Sequence, residues 1–246
     1  MSSDEGLSRR GFLAISAAAL GGVMLAPGIR LIEIAAARAP DQPASSKVRW
    51  GLLIDTNKCQ TGCDDCVSAC ATENGIKSSG HPRTDSQWIR KIELKDMRNG
   101  RTHSVPVMCQ HCAEPPCVLV CPTGASFKRA DGIVLVDRHI CIGCRYCMMA
   151  CPYKARSFVA QELTDQNPDV PRGKGTVEGC TFCVQRVDRG QQPACVDACT
   201  KAGHNAMTFG DLNDPHSEIA QRVAQYATTA IRADLRTDPG VRYQGL

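Results

Sequence analysis

Sixteen cysteines fall into four groups of four, and no other property of the chain limits its architecture as strongly. The groups are Cys59, Cys63, Cys66 and Cys70, then Cys109, Cys112, Cys117 and Cys121, then Cys141, Cys144, Cys147 and Cys151, and finally Cys180, Cys183, Cys195 and Cys199. None is left over. The third group is the tightest, the segment HICIGCRYCMMACPYKARSF from His139 to Phe158, with Pro152 directly behind its last cysteine. Disulfide frameworks staple small secreted domains that lack a sufficient core. This chain, at 246 residues, is larger than such scaffolds and repeats one tight spacing. Structural zinc usually gathers two C-x2-C pairs separated by roughly a dozen residues or more, a pattern that four closely set cysteines do not match.

Cys141-x2-Cys144-x2-Cys147-x3-Cys151-Pro152 instead resembles the bacterial ferredoxin run, in which three close thiolates hold one 4Fe-4S cubane and the fourth reaches across to another. The second group, Cys109-x2-Cys112-x4-Cys117-x3-Cys121-Pro122, is a looser copy with Pro115-Pro116 stiffening its enlarged gap. The flanks repeat as well. Cys121-Pro-Thr-Gly-Ala-Ser-Phe127 aligns with Cys151-Pro-Tyr-Lys-Ala-Arg-Ser-Phe158, and Gly132-Ile-Val-Leu-Val-Asp137 aligns with Gly51-Leu-Leu-Ile-Asp55. Such internal repetition implies duplicated ferredoxin-like modules. The outer groups, Cys59-x3-Cys63-x2-Cys66-x3-Cys70 and Cys180-x2-Cys183-x11-Cys195-x3-Cys199, lack the trailing proline but keep the ligand order. The long gap adds only modest loop-closure entropy.

Carried over from the ferredoxins, the crossover rule implies four ligand sets. Cys141, Cys144 and Cys147 share a cubane with Cys121, and Cys109, Cys112 and Cys117 share one with Cys151. Cys59, Cys63 and Cys66 go with Cys199, and Cys180, Cys183 and Cys195 go with Cys70. The expected load is four 4Fe-4S clusters, with three clusters and one vestigial or zinc-filled site as the alternative.

The first 39 residues read as a separate segment. Ser8-Arg9-Arg10-Gly11-Phe12-Leu13 opens an Ala/Gly-rich run interrupted at Pro27, and Ala37-Arg38-Ala39 offers a small-x-small cleavage site. This is the pattern of a twin-arginine export signal, with an uncleaved N-terminal anchor as the alternative. It implies a periplasmic protein, peripheral to the inner membrane, because no later stretch approaches eighteen uninterrupted apolar residues.

Residues 40–209 are expected to form tandem 4Fe-4S modules, in an alpha+beta, loop-rich ferredoxin-like fold. Hairpins are predicted at Asp131-Gly132, between 126–129 and 133–136, and across Asn99-Gly100, between 88–94 and 105–107. Gln161 to Gly179 is polar and Pro/Gly-rich, which suggests a surface linker or docking loop. Residues 210–246 are expected to supply a helix capped by Asp214, with Pro215 in its first turn and an end near Ala230, then an extended tail for subunit docking.

With all four motifs in view, the chain from about Arg49 onward resembles the four-cluster iron-sulfur subunits of respiratory oxidoreductases, the dimethyl-sulfoxide, polysulfide and nitrite reductase type. Val107-Met-Cys-Gln-His-Cys112, Ala125 to Asp137 and Gly179-Cys-Thr-Phe-Cys-Val-Gln-Arg-Val-Asp188 are most similar to the exported DsrO-type subunit of the DsrMKJOP membrane complex of dissimilatory sulfur metabolism. That resemblance implies an electron-transfer subunit with no catalytic residues of its own. Its implied partners are an NrfD-like multispanning membrane quinone-interacting subunit and a multihaem cytochrome c. The electron-transfer subunit of a molybdopterin reductase or dehydrogenase is the alternative, and a self-contained iron-sulfur enzyme is a more distant one.

Composition is consistent with this reading. Four full groups leave no iron without a thiolate, and neither a C-x2-C-H haem site nor a G-x-G-x-x-G loop is present. His81, His103, His111, His139, His204 and His216 are scattered, and His111 and His139 lie close to the cysteine loops. The formal net charge of +4 falls to +3 without residues 1–39. Four oxidised cubanes with their thiolates would bring the total to about −5, so the basic excess does not argue for nucleic acid. Lys128, Arg129, Arg145, Lys154, Arg156, Arg186 and Arg189 are expected to line the metal loops or to meet an acidic partner, with a plain solvated face as the equal alternative.

Overall fold

β1 (Trp50–Asp55) is an almost wholly buried apolar strand, and the architecture is arranged around it. The computed structural model describes Gln42 to Leu246 apart from Asn99, so the export signal expected over residues 1–39 lies outside the described residues. β1 is followed by α1 (Asp65–Glu73), the hairpin of β2 (Ile89–Lys95) and β3 (Thr102–Met108), α2 (Pro116–Leu119), and the hairpin of β4 (Ser126–Lys128) and β5 (Val134–Val136). Next come α3 (Tyr146–Ala150), β6 (Ser157–Phe158), β7 (Val177–Glu178), α4 (Val184–Val187) and α5 (Ala194–Lys201). β8 (Met207–Asp211), α6 (Glu218–Gln225), β9 (Thr228–Thr229), a 3-10 turn at Ala233–Leu235 and β10 (Val241–Gln244) complete the chain. The class is alpha+beta, and no helix among the described residues is long and apolar enough to cross a membrane.

Both expected hairpins form. Arg90 pairs with Val107 and Ile92 with Val105, while Ser126 pairs with Val136 and Phe127 with Leu135. At the second turn Gly132 takes φ 88°, a conformation costly for any residue with a Cβ, and its N–H closes on Arg129 O.

The C-terminal third departs from expectation. The helix begins at Glu218, not beside Pro215, because Ser217 is the cap, its hydroxyl accepting from Ala220 N at 3.2 Å. Asp214 is used one turn earlier, accepting His216 N at 2.9 Å. The helix ends at Gln225, well before Ala230, because residues 228–229 pair with β10. The extended tail is an interior strand. β10 runs parallel to β1, with Leu52 opposite Val241 and Ile54 opposite Tyr243, in a sheet ordered β8-β1-β10-β9. The boundary expected at 209/210 falls inside β8.

The segment from Gln161 to Gly179 also differs from a free linker. Val170 is buried, Asn167 Nδ2 donates to Glu73 O at 2.9 Å, and Arg172 donates to Gly75 O at 3.0 Å. Arg172 also grips the fully buried Glu178 carboxylate through two bonds of 3.0 and 2.6 Å. The segment is a strap tied to the end of α1.

Leu52, Ile54, Trp88, Ile89, Met108, Phe182, Phe209, Val241 and Tyr243 form the main core, together with Cys66, Cys70, Cys180, Cys195 and Cys199. Thiols thus occupy core volume that aliphatic side chains usually fill.

Candidate metal centres

The helices explain how the thiols meet. Residues i and i+4 lie one turn apart on the same helix face, so Cys66 and Cys70 project from one side of α1 while Cys195 and Cys199 project from one side of α5, against which it packs. Cys66 meets Cys199 and Cys70 meets Cys195, which requires the two helices to run antiparallel. α2 and α3, which carry Cys117 and Cys147 with Cys121 and Cys151 just beyond their C-terminal ends, give a shorter version: Cys117 meets Cys151 and Cys121 meets Cys147. Each helix pair therefore contributes thiols to two hollows.

Four hollows result, each lined by four cysteines. Site I gathers Cys59, Cys63, Cys66 and Cys199. Site II gathers Cys70, Cys180, Cys183 and Cys195, walled by Trp88, Ile89, Met108 and Phe182. Site III gathers Cys109, Cys112, Cys117 and Cys151 beside Pro115, Pro116 and Tyr153. Site IV gathers Cys121, Cys141, Cys144 and Cys147. All sixteen are free thiols.

The sites stand in a row. Cys195 of site II is close enough to Cys66 of site I to feel its charge, Cys180 of site II feels Cys109 of site III, and Cys147 of site IV feels Cys117 of site III. The interior sites are the driest. Burial pushes Cys180 and Cys195 of site II well above the ordinary thiol range and lifts Cys109 of site III to about 12; at site I, an end of the row, it lifts Cys66 to about 12 and Cys59 to about 11 despite the opposing Lys91 ammonium. Burial thus favours the neutral form of the thiols it raises, and a polycationic iron core is what would make them thiolates.

The donor set suits such a core. Each site offers four thiols and at least one N–H aimed at a sulfur: Ala206 N at Cys199 (3.3 Å), Phe182 N at Cys180 (3.5 Å), Arg156 at Cys117 (3.2 Å), and Ser126 N at Cys121 (3.3 Å). Val177 N adds a second at Cys141 (3.5 Å), and Asn74 Nδ2 approaches Cys70 at 3.6 Å. At Cys121 burial is outweighed by the Ser126 N–H and the Thr123 hydroxyl, and the thiol is lowered. These backbone donors and Asn74 carry no composition signal and escaped the sequence reading.

Tight turns set the loops. Gly143, between Cys141 and Cys144, takes φ 68°, and a Cβ there would lie 2.2 Å from Gly175 O. His111, with no exposed surface, is structural: its Nδ1 accepts Val134 N at 3.0 Å, its ring stacks on Phe182 at 3.6 Å, and burial lowers its pKa to about 3. The expected basic residues divide. Arg129 is committed to Asp131 and Asp188, Arg186 to Glu73 and Asp197, Arg189 to Asp169, and Arg145 lies over the Phe158 ring. Arg156 alone of these reaches a cysteine sulfur among the described hydrogen bonds.

The two ends of the row differ. Site I opens beside Lys58, Gln60, Asp65, Lys91 and His204. Site IV is flanked by exposed apolar side chains, with Leu119 81%, Ile142 68% and Met149 67% exposed and Ile140 and Tyr146 about half exposed. Cys144 itself is exposed.

Comparison with known proteins is consistent with this donor set. Residues 101–212 match the family model described as a 4Fe-4S dicluster domain. The chain is 42% identical to the Hdr-like menaquinol oxidoreductase iron-sulfur subunit 1 of Archaeoglobus fulgidus, covering 98% of each chain. It is 37% identical to a tetrathionate reductase subunit of Salmonella typhimurium, over 91% of this chain and 84% of that protein. It is also 35% identical to the NrfC homolog of Haemophilus influenzae, over 95% and 93% respectively.

Proposed function

This chain belongs to the 4Fe-4S iron-sulfur subunits of respiratory oxidoreductases, and from that premise we propose that it is an exported electron-transfer subunit binding four 4Fe-4S clusters, one per thiol quartet. The observation that carries the reading is the row of four quartets, each with N–H donors on sulfur. A bound 4Fe-4S cluster supplies one-electron redox chemistry. The chain's own residues do the rest. The sixteen cysteines are the iron ligands, the N–H groups favour added negative charge on the sulfurs, and the walls of site II keep water away from the middle of the row. The paired helices, α1 with α5 and α2 with α3, represent two copies of one ferredoxin-type unit.

The apolar rim of site IV is the docking face for an NrfD-like multispanning membrane quinone-interacting subunit, and the polar mouth of site I faces a second redox partner, a multihaem cytochrome c in a DsrMKJOP-type complex of sulfur metabolism. The names of the relatives, which include menaquinol oxidoreductase and tetrathionate reductase subunits, support a membrane-associated complex. A molybdopterin-bearing subunit in place of the cytochrome is the second reading, favoured by the reductase relatives, and co-purification from membranes separates the two. The twin-arginine segment implies periplasmic location. Arg9→Lys with Arg10→Lys should strand loaded protein in the cytoplasm, and normal periplasmic yield would refute export by that route.

The test of function is reconstitution. Isolated holoprotein should accept electrons from dithionite yet fail to oxidise menaquinol until the membrane subunit is restored. Robust quinol turnover by the isolated chain would mark it as a terminal enzyme and overturn the reading.

A further inference from the structure

Arg156 is the side chain whose position the relay reading leaves unexplained. It lies between sites III and IV, 8% exposed, and donates to Cys117 Sγ at 3.2 Å. It also borders the cavity, lined by Cys109 of site III and Cys180 of site II, between those two sites. No carboxylate pairs with it among the described residues, since Glu178, which lines the same cavity, is held by Arg172. Its second terminal nitrogen has no partner. A buried guanidinium without a counterion costs several kcal/mol, so this placement is stable only if the surrounding sulfurs carry the balancing charge. The other cations near the quartets are arranged differently. Arg186, near site II, is neutralised by Glu73 and Asp197. Lys91, near site I, spends its ammonium on Cys63 O and Gln60 O. Arg145, near site IV, is stacked on Phe158 at 3.8 Å.

We propose that Arg156 is a positioning residue that raises the reduction potential of the cluster at site III above the value its ligands alone would give, with a smaller effect at site IV. The proposal rests on the four-cluster reading. Its cause is electrostatic: reduction adds one negative charge to the thiolate-bound core, and a desolvated cation bonded to a ligand sulfur stabilises the reduced state more than the oxidised one. Its hydrogen bond goes to Cys117 of site III, and the cavity it borders is lined by Cys109 of the same site, which makes site III the main beneficiary. Sites I and II have no such contact and should not respond.

The experiment is an EPR-monitored redox titration of anaerobic holoprotein, native and variant, with the site III signal identified as the one altered by Cys112→Ser. At the poise that half-reduces native site III, Arg156→Gln should lower the reduced-to-oxidised ratio of that site by about tenfold, 59 mV for a one-electron couple. Site IV should shift less in the same direction, and sites I and II not at all. Arg156→Lys, which keeps the charge but loses the planar fork, should give a smaller shift confined to the same two sites, and it carries the test if the Gln variant does not assemble. An unmoved site III in either assembled variant, or an equal shift of all four signals, overturns the proposal. A native protein lacking four separate cluster signals would instead overturn the four-cluster reading, so the two failures are distinguishable.

Discussion

Replacing Arg172 with Met should destabilise the holoprotein more than any other single change in the strap. Glu178 has no exposed surface and Arg172 only 6%, and the two bonds between them measure 2.6 and 3.0 Å. Removing the guanidinium leaves a carboxylate buried beside Arg138, whose own charge is disfavoured by burial and supported by Glu178. Breaking a buried pair from one side costs about 3–5 kcal/mol, and the lost bond to Gly75 O adds about 1 kcal/mol. Glu178 lies between Val177, whose N–H meets Cys141, and Gly179-Cys180, so the loss should loosen sites II and IV together. Because cofactor-bearing proteins unfold irreversibly, the assay is a rate: bleaching of visible absorbance after an anaerobic jump into guanidinium. If the loss falls mainly on unfolding, bleaching should accelerate by about 10³–10⁴-fold. Arg172→Met with Glu178→Leu, which leaves no charge of the pair behind, should bleach more slowly than Arg172→Met alone. A single variant that bleaches at the native rate, or a double variant faster than either single, would refute the reasoning.

Other perturbations have equally definite outcomes. Gly143→Ala drives a Cβ to 2.2 Å from Gly175 O and forces a left-handed residue, so purified protein should lack one cluster, measured as about four fewer iron atoms per chain; full occupancy would contradict the loop geometry. Ser217→Ala should cost about 1 kcal/mol through loss of the α6 cap while Asp214→Ala costs less, a ranking read from thermal inactivation and reversed if Asp214 were the cap. Deleting residues 237–246 removes an interior strand and the buried Tyr243, whose hydroxyl bonds Pro106 O at 3.1 Å, so loaded protein should fail to accumulate; normal yield would show the tail to be dispensable. Assembling clusters on apoprotein at pH 7 should release protons, about four of them from site II, since burial raises Cys70, Cys180, Cys183 and Cys195 and all four end as thiolates. The calorimetric heat should then vary with buffer ionisation enthalpy, and a buffer-independent heat would mean thiolates were present beforehand.

Much of the fold was legible because its determinants are local. The Asp131-Gly132 turn and the alternating strands around it specify their hairpin without help from the rest of the chain, and an x3 gap between cysteines fixes two thiols on one face of a helical turn. Where tertiary partners decide, the sequence was silent. Asp214 and Ser217 are both good caps, and the choice follows from Ser217 also donating to Asp211 O as the chain leaves β8. Val241-Arg-Tyr-Gln244 is too short to declare itself a strand, and becomes one because β1 offers it a parallel edge. The strap over residues 161–179 reads as polar linker because its anchors, Asn167, Arg172 and Glu178, are polar residues that reach their partners only in the folded chain. Among the basic residues near the cysteines, sequence distance could not separate Arg156, bonded to sulfur, from Arg129 and Arg186, bonded to carboxylates.

Native mass spectrometry of the anaerobically purified chain tests the central claim most directly, because it counts metal and sulfide on intact molecules. Four quartets holding four 4Fe-4S clusters predict a dominant species carrying about sixteen iron and sixteen sulfide. A dominant species with zinc in place of iron, with two-proton mass losses indicating disulfides, or with fewer than four clusters would contradict the account.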